Sequence, residues 1–293
     1  TMKARSRSRR FFKKQVEPNI QRIAPIAFKE DEVAELNDLY QVNLDSMVWN
    51  TYAKADVYGS LIQPPQELVD LAASAPESAD GIETLFDPLL REHAEDVFAP
   101  TRCLARKYAA VVANPPYMGA KNMSAELKQF VQDRYEDGKA DLFAAFIMRN
   151  RQFLRHNAML GMITMQSWMF LSSFEDLRRN LLASSAIETM SHLGAGAFDS
   201  IGGEVVSTNA FTLRNSPSSG KGIYIRLVDV SGDSNQADAC AEAINGDANY
   251  RFEVNQHEFA QIPGSPIVYW LSEAVFKVFD RKIAKGAGGD ALS

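Results

Sequence analysis

The tetrapeptide Asn114-Pro115-Pro116-Tyr117 holds the residue types in this chain that are best suited to chemistry. An exocyclic NH2 group of a base presents two hydrogens, and the Asn114 side-chain oxygen and the Pro115 carbonyl can each accept one. Two consecutive prolines fix the backbone φ angles, so these acceptors are held in place. Tyr117 offers a flat face on which an extruded base can stack. The motif therefore predicts a site that grips a planar amine and turns its lone pair toward an electrophilic methyl group.

The segment before this motif, Tyr108 to Ala113, is a continuous apolar run that predicts a buried parallel strand. In open α/β sheets, ligands bind beyond the carboxyl ends of the strands, which is where the motif follows. Further strands are predicted at 159–164, near 186–192, at 204–213 and at 223–230. Helices are predicted at 2–14, 31–43, 66–75, 82–98, 124–136, 141–156, 173–184 and 267–283. This alternation predicts an α/β fold with a parallel sheet and helices on both faces.

Composition narrows the class of protein. The chain has 293 residues, of which 46% are hydrophobic and 23% charged, as in a globular protein. No apolar run approaches the roughly 20 residues that span a bilayer, so no membrane partner is predicted. Cys103 and Cys240 lie far apart, which excludes a disulfide scaffold and fits a reducing cytoplasm. The four histidines show no metal-ligand spacing, so no metal site is predicted.

Charge is distributed unevenly along the chain. The formal net charge is -6, yet residues 1–14 hold seven of the 31 basic residues and no acidic one. Such a basic stretch either contacts phosphates or forms a solvated helix face.

Several segments resemble a known family. KYAAVVANPPYMG resembles motif IV of amino-methyltransferases, in particular adenine-specific DNA methyltransferases. Residues 161–182, 191–215 and 265–273 are similar to the large PglX-type adenine methyltransferases of BREX phage-defence systems. The resemblance covers most of residues 1–283. It implies a Rossmann-like methyltransferase sheet with S-adenosylmethionine as the methyl donor.

The resemblance also implies roles for individual residues. Asn114 to Tyr117 would hold the target amine and stack the base. Asp141 and Phe143 would border the cofactor pocket, and Ser60 would lie in a loop that touches the cofactor adenine. Phe198 would be a second aromatic against the flipped base. Trp168, which follows a predicted strand, either packs or lines the site.

One family feature is not found. Nothing in residues 1–107 resembles the glycine-rich cofactor turn that should precede the asparagine motif. The Gly-x-Gly of residues 194–196 is followed by a loop and strands, where a helix is required. We therefore expect an incomplete methyltransferase sheet whose first strands are missing. The expected divisions are a helical lead-in with a remnant of the cofactor half (1–107), a catalytic half (108–232) and a linker with the start of a C-terminal region (233–293).

The expected function is transfer of a methyl group from S-adenosylmethionine to the N6 amine of a flipped adenine in double-stranded DNA. The setting would be phage defence or restriction-modification, with other defence subunits as possible partners and with little activity from residues 1–293 alone. Two alternatives stay open: methylation of RNA adenine or a protein glutamine, and a non-catalytic DNA-binding subunit of a defence complex.

Overall fold

The computed structural model describes residues 18–75, 88–195, 206–230, 233–246, 248–272 and 274–279. The chain divides into two compact units, Thr1–Ala105 and Arg106–Ser293. The basic helix expected over 2–14 lies outside the described residues. No helix in the described ranges is long and apolar enough to cross a membrane.

The first unit is helical. Its helices are α1 (Glu30–Tyr40), α2 (Ser46–Trp49), α3 (Ala55–Tyr58), α4 (Gln66–Ser74) and α5 (Pro88–Ala105). Trp49 is fully buried against Phe98, with ring centroids 5.9 Å apart, and its indole N–H donates to the Asn37 side-chain oxygen at 2.9 Å. The helices expected at 31–43 and 66–75 are confirmed, whereas the one expected at 82–98 continues to Ala105.

The second unit contains a six-stranded sheet. Its strands are β1 (Tyr108–Ala113), β2 (Leu154–Met165), β3 (Ala186–Gly194), β4 (Thr208–Arg214), β5 (Lys221–Arg226) and β6 (Arg251–Asn255). Its helices are α6 (Ala125–Arg134), α7 (Leu142–Gln152), α8 (Glu175–Ser184), α9 (Asp233–Asn245) and α10 (His257–Ala260). The expected helix over 141–156 ends at Gln152, because its last residues begin β2.

The strand order is β1-β2-β4-β3-β5-β6. β1 pairs parallel with β2, and β3 pairs parallel with β5, whereas β4 runs antiparallel to both of its neighbours and β6 is antiparallel to β5. The α/β class is confirmed, and the expected parallel sheet is mixed: four strands run in one direction, and β4 and β6 run in the other. The carboxyl ends of β1, β2, β3 and β5 nevertheless meet at one edge of the sheet.

Helices pack on both faces, as expected, but on the second face they cover only part of the sheet. On one face α7 and α8 pack on β2, β3 and β4 in the main core. On the other, α9 covers β5 through Ala243, which packs with Ile225 and Leu227. Residues beyond 232 therefore continue the same sheet and core, and the functional divisions expected along the chain stay predictions.

Two expectations about burial and local structure were wrong. β1 is an edge strand, and Val112 in it is 85% exposed. A continuous apolar run shows that a strand is apolar on both faces, but not that both faces are covered. The predicted helix over 267–283 is helical at 274–279 but not at Ile267 to Trp270. In that stretch Ile267 and Tyr269 are buried, whereas Val268 and Trp270 are half-buried, an alternation typical of extended chain.

Candidate active site

The Asn114–Tyr117 motif begins directly after β1, at the carboxyl edge of the sheet. Asn114 is exposed, and its Oδ1 accepts a long hydrogen bond of 3.4 Å from the Tyr117 hydroxyl. Within the described ranges, no donor reaches the Pro115 carbonyl. Partial burial raises the pKa of the Tyr117 hydroxyl, so it stays a neutral donor at physiological pH. The motif thus presents two oxygen acceptors beside an aromatic ring.

Asp141 ties the motif to the next helix. As the N-cap of α7, its Oδ1 accepts the main-chain N–H of Phe143 at 3.3 Å and that of Met118 at 3.0 Å. Leu142 N–H in turn donates to the Met118 carbonyl at 3.0 Å. Burial raises the pKa of the Asp141 carboxyl, while the backbone N–H groups around it oppose that shift. The residue after Tyr117 is therefore fixed to the start of α7.

The aromatic floor of the motif is Phe143. Its side chain is fully buried, and its ring meets the Tyr117 ring edge to face, with centroids 6.1 Å apart. On its other side it packs against Phe174 at 5.6 Å. Phe143 supports the ring of Tyr117 from the core; its expected contact with a cofactor stays a prediction, as does that of Asp141.

A glycine fixes the position of α7 beneath the motif. A Cβ on Gly138 would lie 2.6 Å from the Ala145 nitrogen, closer than atoms can approach. Only glycine lets the turn at 136–138 pack this tightly on the first turn of the helix.

A cavity of about 450 Å³ opens beside Asn114 over the sheet. Its lining consists of apolar and hydroxyl side chains and glycine, apart from Asn114 itself: Val112, Ala113, Gly161, Met162, Ile163, Thr189, Ser191, Ala210, Phe211 and Thr212. It contains no carboxylate for the ribose hydroxyls or the amino group of S-adenosylmethionine. This lining does not fit the cofactor.

The remaining predicted residues are placed differently. Ser60 lies in a short 3-10 turn of the first unit, Gly59–Leu61, and its cofactor role stays a prediction. Phe198 lies outside the described residues. Gly194 at the end of β3 and Thr208 at the start of β4 are paired at the carboxyl edge of the sheet. Trp168 is fully buried and donates to Thr164 Oγ1 at 3.1 Å, so it packs and does not line the site.

Sequence reasoning missed a polar cluster at the same edge. Gln166 follows β2, and its Oε1 lies 2.7 Å from His192 Nε2. His192 Nδ1 lies 2.9 Å from the Tyr269 hydroxyl. The available signal was the position of Gln166 directly after a strand; His192 was read only as a structural histidine. Among the described residues, no group of three or more His, Cys, Asp and Glu side chains is arranged to hold a metal ion.

The sequence that contains the motif matches a known family. Residues 37–198, more than half of the chain, match the family described as Eco57I restriction-modification methylase.

The chain belongs to this methylase family.

Two curated relatives confirm the resemblance to BREX methyltransferases. The chain is 38% identical over 239 residues to the adenine-specific methyltransferase BrxX of Escherichia coli O9:H4 (strain HS), covering 80% of this chain and 19% of the relative. It is 33% identical over 282 residues to the adenine-specific methyltransferase PglX of Lacticaseibacillus casei (strain Zhang), covering 93% of this chain and 23% of the relative. The chain thus spans about a fifth of the length of these relatives.

Solved structures show a remote similarity. One is a nuclease-deletion mutant of the Type ISP restriction-modification enzyme LlaGI in complex with a DNA substrate mimic. It shares 16% identity at a TM-score of 0.45, over 66% of this chain and 17% of that chain.

Proposed function

We propose that the full-length protein is a site-specific DNA methyltransferase that methylates the N6 amine of a flipped adenine. The observation that carries this proposal is the pair of oxygen acceptors on Asn114 and Pro115, beside the ring of Tyr117, at the carboxyl end of β1. Membership of a restriction-modification methylase family and the names of the two curated relatives support it.

The motif residues have separate tasks in this reaction. Asn114 Oδ1 and the Pro115 carbonyl each accept one hydrogen of the amine, which directs its lone pair away from the protein chain and toward the methyl donor. The Tyr117 ring stacks on the base, and the amine proton released on transfer leaves to solvent near the exposed Asn114. The base is extruded because its amine cannot be reached in line inside the stack.

S-adenosylmethionine is the proposed methyl donor and supplies the electrophilic carbon. The residues around Asn114 form the amine-binding half of the reaction centre. Contacts of Ser60, Asp141 and Phe143 with the cofactor, and of Phe198 with the base, belong to this proposal.

The proposed setting is defence against phage by restriction-modification, with double-stranded DNA as substrate and other defence subunits as partners. It is assigned to the cytoplasm, where thiols stay reduced. No disulfide joins Cys103 and Cys240, which suits that compartment.

The test is transfer of tritiated methyl groups by the full-length protein to DNA, RNA and protein substrates assayed in parallel. We expect label on adenine N6 of double-stranded DNA and none with the Asn114→Ala variant. Label on RNA adenine or on a glutamine amide, and none on DNA, would show that RNA or protein is the substrate instead of DNA. Salt-sensitive DNA binding that needs no cofactor, with no transfer to any substrate, would indicate a DNA-binding subunit and overturn the proposal.

A further inference from the structure

A hydrogen-bonded chain of three side chains, Gln166, His192 and Tyr269, crosses the carboxyl edge of the sheet. The two bonds measure 2.7 Å from His192 Nε2 to Gln166 Oε1 and 2.9 Å from His192 Nδ1 to the Tyr269 hydroxyl. His192 and Tyr269 are buried, whereas Gln166 is half-buried at the outer end. None of the three takes part in holding the amine as described above.

The protonation of His192 follows from its surroundings. Burial, together with the Arg226 guanidinium, lowers its pKa to about 4, against a weaker opposing effect of Asp229. The ring is therefore neutral at physiological pH, with one N–H. Gln166 presents a carbonyl oxygen to Nε2, so Nε2 carries the proton. Nδ1 then has only a lone pair and accepts the hydroxyl proton of Tyr269.

Aromatic packing holds these hydrogen-bonded side chains in place. Tyr269 stacks on Tyr224 with ring centroids 5.0 Å apart and planes 12° from parallel. Trp270 stacks on the imidazole of His192 at 6.2 Å, and the guanidinium of Arg226 lies 5.1 Å from the Trp270 ring. His192 therefore has one available position, and it fixes which way the Gln166 carboxamide points.

With its oxygen bonded to His192, the carboxamide has an NH2 group that takes no part in that bond. In the part of the chain that the structure describes, no acceptor is bonded to this Nε2. A half-buried donor without an acceptor in the chain is suited to an external one.

Gln166 and the motif leave the sheet at the same edge, from neighbouring parallel strands. Ala113 in β1 is aligned with Met162 in β2, Asn114 directly follows β1, and Gln166 directly follows β2. The carboxamide reaches over the start of β4 to His192 in β3.

We propose that the Gln166 NH2 donates a hydrogen bond to a ring nitrogen of the base whose amine Asn114 and Pro115 hold, with His192 and Tyr269 as positioning residues. This inference rests on the proposed function. Adenine carries an amine donor flanked by the ring acceptors N1 and N7. The oxygens of Asn114 and Pro115 complement the amine, and the Gln166 NH2 complements one of the ring nitrogens. Guanine, with an N–H at its N1, presents a donor at one of those places.

The test compares the full-length wild type with Gln166→Glu on DNA in which the target adenine is replaced by 1-deaza-, 3-deaza- or 7-deazaadenine. The glutamate keeps an oxygen for His192 and lacks the NH2 donor. We expect the wild type to lose about tenfold in kcat/KM with one of the three analogues, the size of one hydrogen bond. Gln166→Glu should lose about as much with normal adenine and nothing further with that analogue.

The positioning role has its own readout. Tyr269→Phe keeps the aromatic packing but removes the hydroxyl that selects the tautomer, so its penalty with the same analogue should be smaller than that of the wild type. Gln129→Met, on the exposed face of α6, should behave as wild type with every substrate. Thermal unfolding of each variant confirms that it is folded.

Equal analogue penalties in the wild type and Gln166→Glu would overturn this inference while leaving the proposed function standing. Absence of adenine methylation by the wild type would instead overturn the proposed function, and this inference with it.

Discussion

One oxygen of Asp141 accepts the main-chain N–H of Met118 at 3.0 Å, and so joins the start of α7 to the residue that follows Tyr117. The same oxygen caps the helix by accepting the N–H of Phe143. A helix cap and a loop anchor therefore coincide in a single atom. The position of the motif depends on the packing of α7 in the core.

Two substitutions of Asp141 should distinguish the effect of its hydrogen bonds on stability from the effect of its charge. Asp141→Ala removes the cap and leaves the Met118 N–H without its acceptor, so we expect a loss of about 2 kcal/mol in the free energy of unfolding. Asp141→Asn keeps an acceptor oxygen and avoids burying a charge, so it should stay within about 0.5 kcal/mol of the wild type. Denaturant unfolding measures both. Equal losses in the two variants would show that the hydrogen bonds of Asp141 do not account for the lower free energy of unfolding.

Changes at Tyr117 should distinguish its ring from its hydroxyl. Tyr117→Ala removes the stacking face and should lower methylation by the full-length protein at least about 100-fold. Tyr117→Phe keeps the ring and loses only the long 3.4 Å bond to Asn114, so it should stay within about fivefold. Steady-state methylation rates give the comparison. A phenylalanine variant as inactive as the alanine variant would assign the effect to the hydroxyl.

Arg178 should be among the most sensitive positions for stability. It is 1% exposed and donates to the carbonyls of four residues, Trp168, Leu171, Gly264 and Ser265. Arg178→Met removes all of these bonds and leaves buried carbonyls, among them that of Gly264, without the guanidinium donor, so we expect a loss of about 3 kcal/mol or more in the free energy of unfolding.

The neighbouring Arg179 is a matched control for that measurement. It lies on the exposed side of the same helix and pairs with Glu175 and Asp176. Arg179→Met should change the stability by less than about 0.5 kcal/mol. Similar losses at both positions would contradict the role assigned to the carbonyl bonds.

The low pKa of His192 predicts that the free energy of unfolding depends on pH. Its pKa is about 4 in the folded chain and 6.5 when unperturbed, so the unfolded state binds more protons between these values. The contribution is complete above pH 6.5 and is lost as the pH falls toward 4, by about 3 kcal/mol at most. Urea unfolding from pH 7.5 to 4 should show a shallower dependence for His192→Gln, which does not titrate. An unchanged slope would show that another group is responsible.

The sequence predicts where the strands and helices of this fold lie better than it predicts what packs against them. YAAVVA and the motif after it identify β1 and its carboxyl end, because an apolar run followed by two prolines has few other structures. Nothing in those residues says what packs on each face of β1, so the exposure of Val112 was missed. The alternation at Ile267 to Trp270 was read as one face of a helix, although Pro266 and the β-branched residues after it favour extended chain.

The site was predicted where its residues are adjacent in sequence. Asn114 and Tyr117 belong to one tetrapeptide, and Asp141 was found through its likeness to a family motif. The contacts of His192 join it to Gln166, 26 residues away, and to Tyr269, 77 residues away. Pairing over such distances depends on the strand order, which local patterns do not encode.

The carbonyl bonds of Arg178 also constrain the order of events during synthesis. Its guanidinium links the turn after β2 to Gly264, which lies 86 residues beyond Arg178. Chains emerge from the ribosome N-terminal end first, at about 5–20 residues per second. The strand that precedes the Asn114–Tyr117 motif is thus made several seconds before the segment that completes this edge of the sheet. During that interval a nascent chain exposes an unfinished edge, a stage at which a chaperone could act.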